Sequence, residues 1–86
     1  MPKELVGSVA HYFGKAGVAA LRMSGTLRVG DRISVEHSDS SVVLEEIVQS
    51  MEVNHAKVES AGAGDDVAIK LGGKVHEGNL VYRIVP

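Results

Sequence analysis

Nine residues, Gly25-Thr26-Leu27-Arg28-Val29-Gly30-Asp31-Arg32-Ile33, narrow the folds open to this chain. Gly25 and Gly30 supply the backbone freedom of two tight turns, and Asp31 can hydrogen-bond the backbone beside it. Leu27, Val29 and Ile33 are spaced to face inward and pin the segment to a core. The stretch reads as turn, short extended piece, turn and strand restart, which is a β-corner. Val75-His76-Glu77-Gly78-Asn79-Leu80-Val81 repeats the plan loosely, with an apolar residue, a Gly-Asx turn and a new strand. Two corners of one kind, among short strands punctuated by glycine, suit a closed sheet. The fold class read from the residues is all-β, a small closed antiparallel β-barrel.

In chain order, residues 5–13 form a first strand, with Gly7 a bulge or close-approach point, and residues 18–23 a second. The turn between them, Gly14-Lys15-Ala16-Gly17, makes the two a hairpin. Residues 32–37 alternate with period two, which sets Ile33, Val35 and His37 on one face. Residues 42–53 are rich in β-branched side chains and read as one long bent strand. Val43, Leu44, Ile47 and Val48 also fit a helical stripe. Residues 54–66 read as the longest irregular connection, with a helical turn. Residues 67–71 and 80–85 supply the last two strands.

At 86 residues the chain is expected to be a single domain, 1–86. A chain this short buries about 60–65% of its extended surface, so closure of the barrel must add cohesion. It has no cysteine, which removes disulfides, thiolate nucleophiles and cysteine-held metals and agrees with a cytoplasmic setting, the location expected. The first residues run straight into strand-like sequence, so no signal peptide is expected. No apolar run approaches the roughly 20 residues of a membrane helix, and no membrane partner is expected.

The formal charge of −2 argues against indiscriminate nucleic-acid binding. Its distribution is uneven. Up to Val35 there are five cations (Lys3, Lys15, Arg22, Arg28, Arg32) against Glu4 and Asp31. From Glu36 to Asp66 eight acids face Lys57 alone, and the remainder is mildly basic again.

Reactive motifs are scarce. No G-x-x-x-x-G-K-[S/T] phosphate loop occurs, and Asn54 is followed by His55-Ala56-Lys57 rather than the Asn-Lys-x-Asp that specifies guanine. GTP is therefore not an expected ligand. His11, His37, His55 and His76 match no local metal-ligand spacing, and no cofactor or metal is expected. No G-x-S-x-G nucleophile elbow is present, and Glu45-Glu46 would point to opposite faces of a strand. These readings point away from an enzyme. Tyr12, Phe13 and Tyr82 are the only aromatics. An exposed Tyr12 beside Lys15 could stack a base; a rim aromatic covering apolar surface is the plainer use.

The order Gly14-x-x-Gly17-Val18, Gly25-Thr26-Leu27-Arg28-Val29-Gly30-Asp31, Ala63-Gly64-Asp65-x-Val67-Ala68-Ile69 and Gly78-Asn79-Leu80-Val81 resembles the second, β-barrel domain of the translational GTPases, as in elongation factor Tu. The run from His11 to Ala19, with Ser50-Met51, is similar to small stand-alone translation elongation factor-like proteins. Similar barrels also sit at the end of some collagenase-like U32 peptidases. In the GTPases this barrel helps hold the aminoacylated end of tRNA through a loop matching Met51 through Asp66 here. Asp65 stands where that family has an acidic residue, and Gly62 where elongation factor Tu has an arginine. The family's basic pair in that loop is not reproduced by Glu52-Val53-Asn54-His55.

Three functions stay open. The resemblance implies a translation-associated accessory barrel, without GTPase activity, that binds tRNA, rRNA or the ribosome. Its binding residues would be Tyr12, Lys15, Arg22, Arg28, Arg32 and Asp65. The second is a protein-interaction or regulatory module, and the third, least favoured, is an enzyme.

Overall fold

The computed structural model describes residues 2–86, and all of its regular structure is antiparallel β. The strands are β1 (Lys3–Phe13), β2 (Val18–Met23), β3 (Leu27–Arg28), β4 (Arg32–Glu36), β5 (Val42–Ile47), β6 (Met51–Val53), β7 (Ala56–Val58), β8 (Ser60–Ala61), β9 (Asp66–Lys70) and β10 (Leu80–Ile84). Eight form one sheet in the order β5-β4-β10-β1-β2-β9-β6-β7, while β3 and β8 pair in a short ribbon. Alternation sends one face of each strand into a shared core. Val9 faces Leu21, Leu21 faces Val67, and Val35 faces Val81 across the ladders, all of them buried. No helix long and apolar enough to cross a membrane occurs among the described residues.

Three corners of one design hold this sheet in shape. They are Arg28-Val29-Gly30-Asp31, Gly62-Ala63-Gly64-Asp65 and His76-Glu77-Gly78-Asn79. In each, the fourth residue's N–H donates to the first residue's carbonyl at 3.1 Å. The Asx side chain accepts the first residue's N–H at 2.9 Å. The third residue is glycine at φ 97°, 90° or 88°, the type II pattern. Each Gly-Asx pair then straddles one buried residue. Gly30, Gly64 and Gly78 donate to the carbonyls of Val48, Met23 and Val9, whose N–H groups donate back to the carbonyls of Asp31, Asp65 and Asn79. Two residues opposite one is a β-bulge with glycine in its first place.

A Cβ at Gly30, Gly64 or Gly78 would meet nothing within 4 Å, so only the backbone conformation demands glycine there. Each L-alanine variant is expected to lose about 1 kcal/mol in urea unfolding. D-alanine, introduced by synthesis, prefers this φ and should hold or raise stability. Equal loss with both enantiomers would point to a contact rather than to conformation.

The backbone ladder corrects the expectation of full closure. Among the described residues β5 and β7 are the two ends of the sheet and do not pair with each other. The long bent strand expected over residues 42–53 is two strands, β5 and β6, paired with different neighbours. The break falls where Val48 commits both its backbone groups to the first corner. The free side of β5 meets the 72–73 turn through side chains: Gly72 N–H donates to both Glu46 carboxylate oxygens, at 2.8 and 2.9 Å.

Residues 54–66 are also more regular than expected, and no helical turn forms there. β6 and β7 make a hairpin on the two-residue loop Asn54-His55, both at positive φ, 54° and 65°. That is the geometry favoured by strand twist, here without its usual glycine. His37 does not join Ile33 and Val35 in the core: it lies just past β4 and is exposed, its Nδ1 3.3 Å from Asn79 Nδ2.

Candidate functional site

The first corner brings two arginines to one edge of the molecule. Arg28 opens the turn and Arg32 begins β4. Asp31 lies between them in sequence, but its carboxylate accepts the Arg28 N–H and closes the turn. Neither guanidinium forms a salt bridge among the described residues. Across from them, the β1–β10 ladder sets Glu4 opposite Arg83, and Arg83 donates to Glu4 Oε1 from Nη2 at 2.7 Å and from Nε at 2.8 Å.

These side chains bound a cleft of about 420 Å³ lined by Glu4, Thr26, Arg28, Asp31 and Arg83. A second cleft of about 260 Å³ shares Asp31 and Arg83 and is completed by Gly30, Arg32, Ile84 and Pro86. The two make one furrow, polar at one end and apolar at the other. Its cations, Arg28, Arg32 and Arg83, outnumber Glu4 and Asp31 in a chain whose net charge is negative. Planar guanidinium forks without partners suit carboxylates, which they grip with two parallel hydrogen bonds.

Of the residues expected to bind a partner, only Arg28 and Arg32 come together here. Arg22 lies on the outer face of β2, opposite Ser8 and Asp66, and Lys15 sits at the tip of the β1–β2 hairpin. Asp65 accepts the Gly62 N–H in the second corner. Tyr12 is half-buried against the core because the register sets it opposite fully buried Ala19. The exposed aromatic is Phe13, whose ring meets that of His11 edge-on with centroids 4.5 Å apart. Arg83 and Glu4 escaped the sequence reading, since nothing local marks two residues 79 apart as partners.

A separate polar cluster lies on the outer face of β4. The carboxylate of Glu36, 1% exposed, accepts Lys3 Nζ at 2.7 and 2.8 Å and Ser34 Oγ at 2.8 Å. Lys3 Nζ also lies 4.6 Å from the centre of the Tyr82 ring. The hydrogen bond from Lys3, then that from Ser34, holds the Glu36 carboxyl below its ordinary range, outweighing the opposing push of burial. Among the described residues no three metal-ligating side chains cluster, and no serine or threonine hydroxyl hydrogen-bonds a histidine.

The class of fold is shared with two solved structures of the C-terminal domain of a Geobacillus thermoleovorans protein assigned as a U32 peptidase. One has a TM-score of 0.85 at 15% identity, covering 95% of this chain and 93% of that one. The other, a selenomethionine variant, has 0.82 at 16%, covering 91% and 96%. An uncharacterized protease of Methanocaldococcus jannaschii is 38% identical over 77 residues, 90% of this chain but 19% of that protein. The chain thus spans about one-fifth of the curated relative it matches. No family model matches it.

These similarities overturn the translation-factor resemblance and with it the elongation factor-like, ribosome-associated function. The likeness falls on a protease and on U32 peptidase C-terminal domains. The reason is visible in the corners. The motifs that carried the resemblance are largely turn residues whose polar groups are engaged with the backbone. They report the geometry of a sheet rather than what it binds.

Proposed function

We propose that this chain is a single accessory recognition domain that works with a catalytic module of the U32 peptidase type and contributes a binding surface rather than the reacting groups. The observation that carries this reading is the alignment with the Methanocaldococcus protease, which takes in nearly all of this chain and about one-fifth of that protein. What the two share is a domain-sized piece. The partner is a protein, and the furrow at the first corner grips its carboxylates through Arg28 and Arg32, with Ile84 and Pro86 offering apolar contact. In this reading the curled sheet serves as a barrel whose seam beside β5 is closed by side chains, Glu46 above all.

The test is titration calorimetry of the purified chain with a U32-type catalytic module from the same organism, at about 50 and 200 mM salt. Micromolar or tighter association is expected, weakening with salt and falling at least about tenfold in Arg28→Glu plus Arg32→Glu. No association at about 100 μM of each partner would reject the pairing. Binding untouched by the double variant would reject the furrow.

A further inference from the structure

The two edges of the sheet are built differently. β7 is three residues long and carries Lys57, so it is short and charged in the manner of edges that resist further pairing. β5 is six residues long, Val42-Val43-Leu44-Glu45-Glu46-Ile47, with no lysine, arginine or proline. Val42 and Ile47 are 55% and 51% exposed. Its ladder partner is β4, and among the described residues no other strand pairs with it. Apart from the hold of the Glu46 side chain on Gly72, this long edge offers unpaired N–H and C=O groups to an incoming strand.

We propose that the free edge of β5 takes up an extended basic segment of another protein as an added strand. Charge selects this occupant. β5 itself carries Glu45 and Glu46 and no cation, and Glu45 is exposed on the edge. Beside it Arg32, Glu45, Glu46 and Ile47 line a polar depression of about 350 Å³, large enough for an incoming side chain. Glu46 is held by Gly72, which leaves Glu45 to meet a cation. A second copy of this chain is a poor fit. Antiparallel self-pairing centred on Glu45 or Glu46 sets like charges directly opposite each other, and centring on Leu44 sets Val43 against Glu45. The complementary strand alternates lysine or arginine with β-branched residues. The added strand lies along β5 and adjoins the arginine furrow only at Arg32, which lines both depressions, and the proposal holds whichever catalytic module the chain accompanies.

The probe is a capped hexapeptide of three valine-lysine repeats, with three valine-glutamate repeats as its counterpart. Amide exchange of the whole chain is followed by nuclear magnetic resonance at up to about 1 mM peptide. The basic peptide is expected to slow exchange along β5 by about tenfold and to shift the signals from Leu44 to Ile47. The acidic peptide should do neither, and Glu45→Lys should reverse the preference. Glu45 is exposed, so that variant keeps its fold, which the unchanged spectrum of the core would verify. Three results would overturn the proposal: no change at β5, equal response to both peptides, or protection at β5 that grows with protein concentration alone. The last would assign the edge to a second copy.

Discussion

Gly7→Ala is expected to destabilise the domain by about 3 kcal/mol, a large share of what a chain of this size has to lose. Gly7 lies at the bulge in β1 and pairs with Val81 on one side and Met23 on the other, at the middle of the eight-stranded sheet. A Cβ there would stand 2.6 Å from the Arg22 carbonyl oxygen and 3.4 Å from the Met23 Cα. Both are backbone atoms, so no side chain can swing aside. Relief requires β2 to move away from β1 and weakens the ladder. Gly62→Ala is the matched control, because its Cβ would meet nothing within 4 Å and its φ is ordinary. That variant should lie within about 0.5 kcal/mol of the parent. Urea midpoints of the two variants make the comparison, and a Gly7→Ala loss below about 1 kcal/mol would mean the close approach relaxes freely.

Gly7 also marks what a sequence can disclose. Glycine inside a strand pattern announces a bulge or a close approach, and Gly7 is both. The corners at Leu27–Ile33 and Val75–Val81 were legible for the same kind of reason, an apolar residue, a Gly-Asx pair and another apolar residue at fixed spacing. The corner at Gly62–Asp65 stands out as a motif but not as a corner, because Ala61 is small and Gly62 blurs which glycine turns the chain. Asn54-His55 gave no hairpin signal because it lacks the glycine of the Asn-Gly or Asp-Gly pair that usually marks such a loop. The break after β5 had no local signal either: Val48-Gln49-Ser50 contains no breaker, and the strand ends because the first corner captures Val48. This is long-range geometry, unseen by any window of residues. The furrow was half legible. Arg28 and Arg32 stood out as unmatched cations, while Glu4 and Arg83 needed the β1–β10 ladder to bring them there.

Burial of Glu36 leads to the second large effect, Glu36→Ala, expected to lower stability at neutral pH by about 2 kcal/mol. Alternation alone would set this residue on the outer face of β4, and there it is. What alternation does not supply is the cover from Lys3 and the neighbouring strands that leaves the carboxylate 1% exposed. Removing it leaves the buried Ser34 hydroxyl without its acceptor. Lys3 is more forgiving, its side chain being 42% exposed and able to rehydrate. The pH dependence follows from the lowered carboxyl. A group whose pKa falls on folding stabilises the native state above its unfolded pKa and loses that contribution as pH drops through the folded value. Parent stability should therefore decline from about pH 5 downward, the unfolded carboxyl titrating near 4.5. Glu36→Gln cannot take up that proton. It should begin less stable than the parent at pH 7 and decline less steeply toward pH 3, so the two curves converge in acid. Asp39, also lowered through its bonds from Ser41, is present in both proteins and cancels from the difference. Parallel curves would mean that Glu36 ionises alike folded and unfolded, and that the Lys3 and Ser34 hydrogen bonds do no more than balance the cost of its burial.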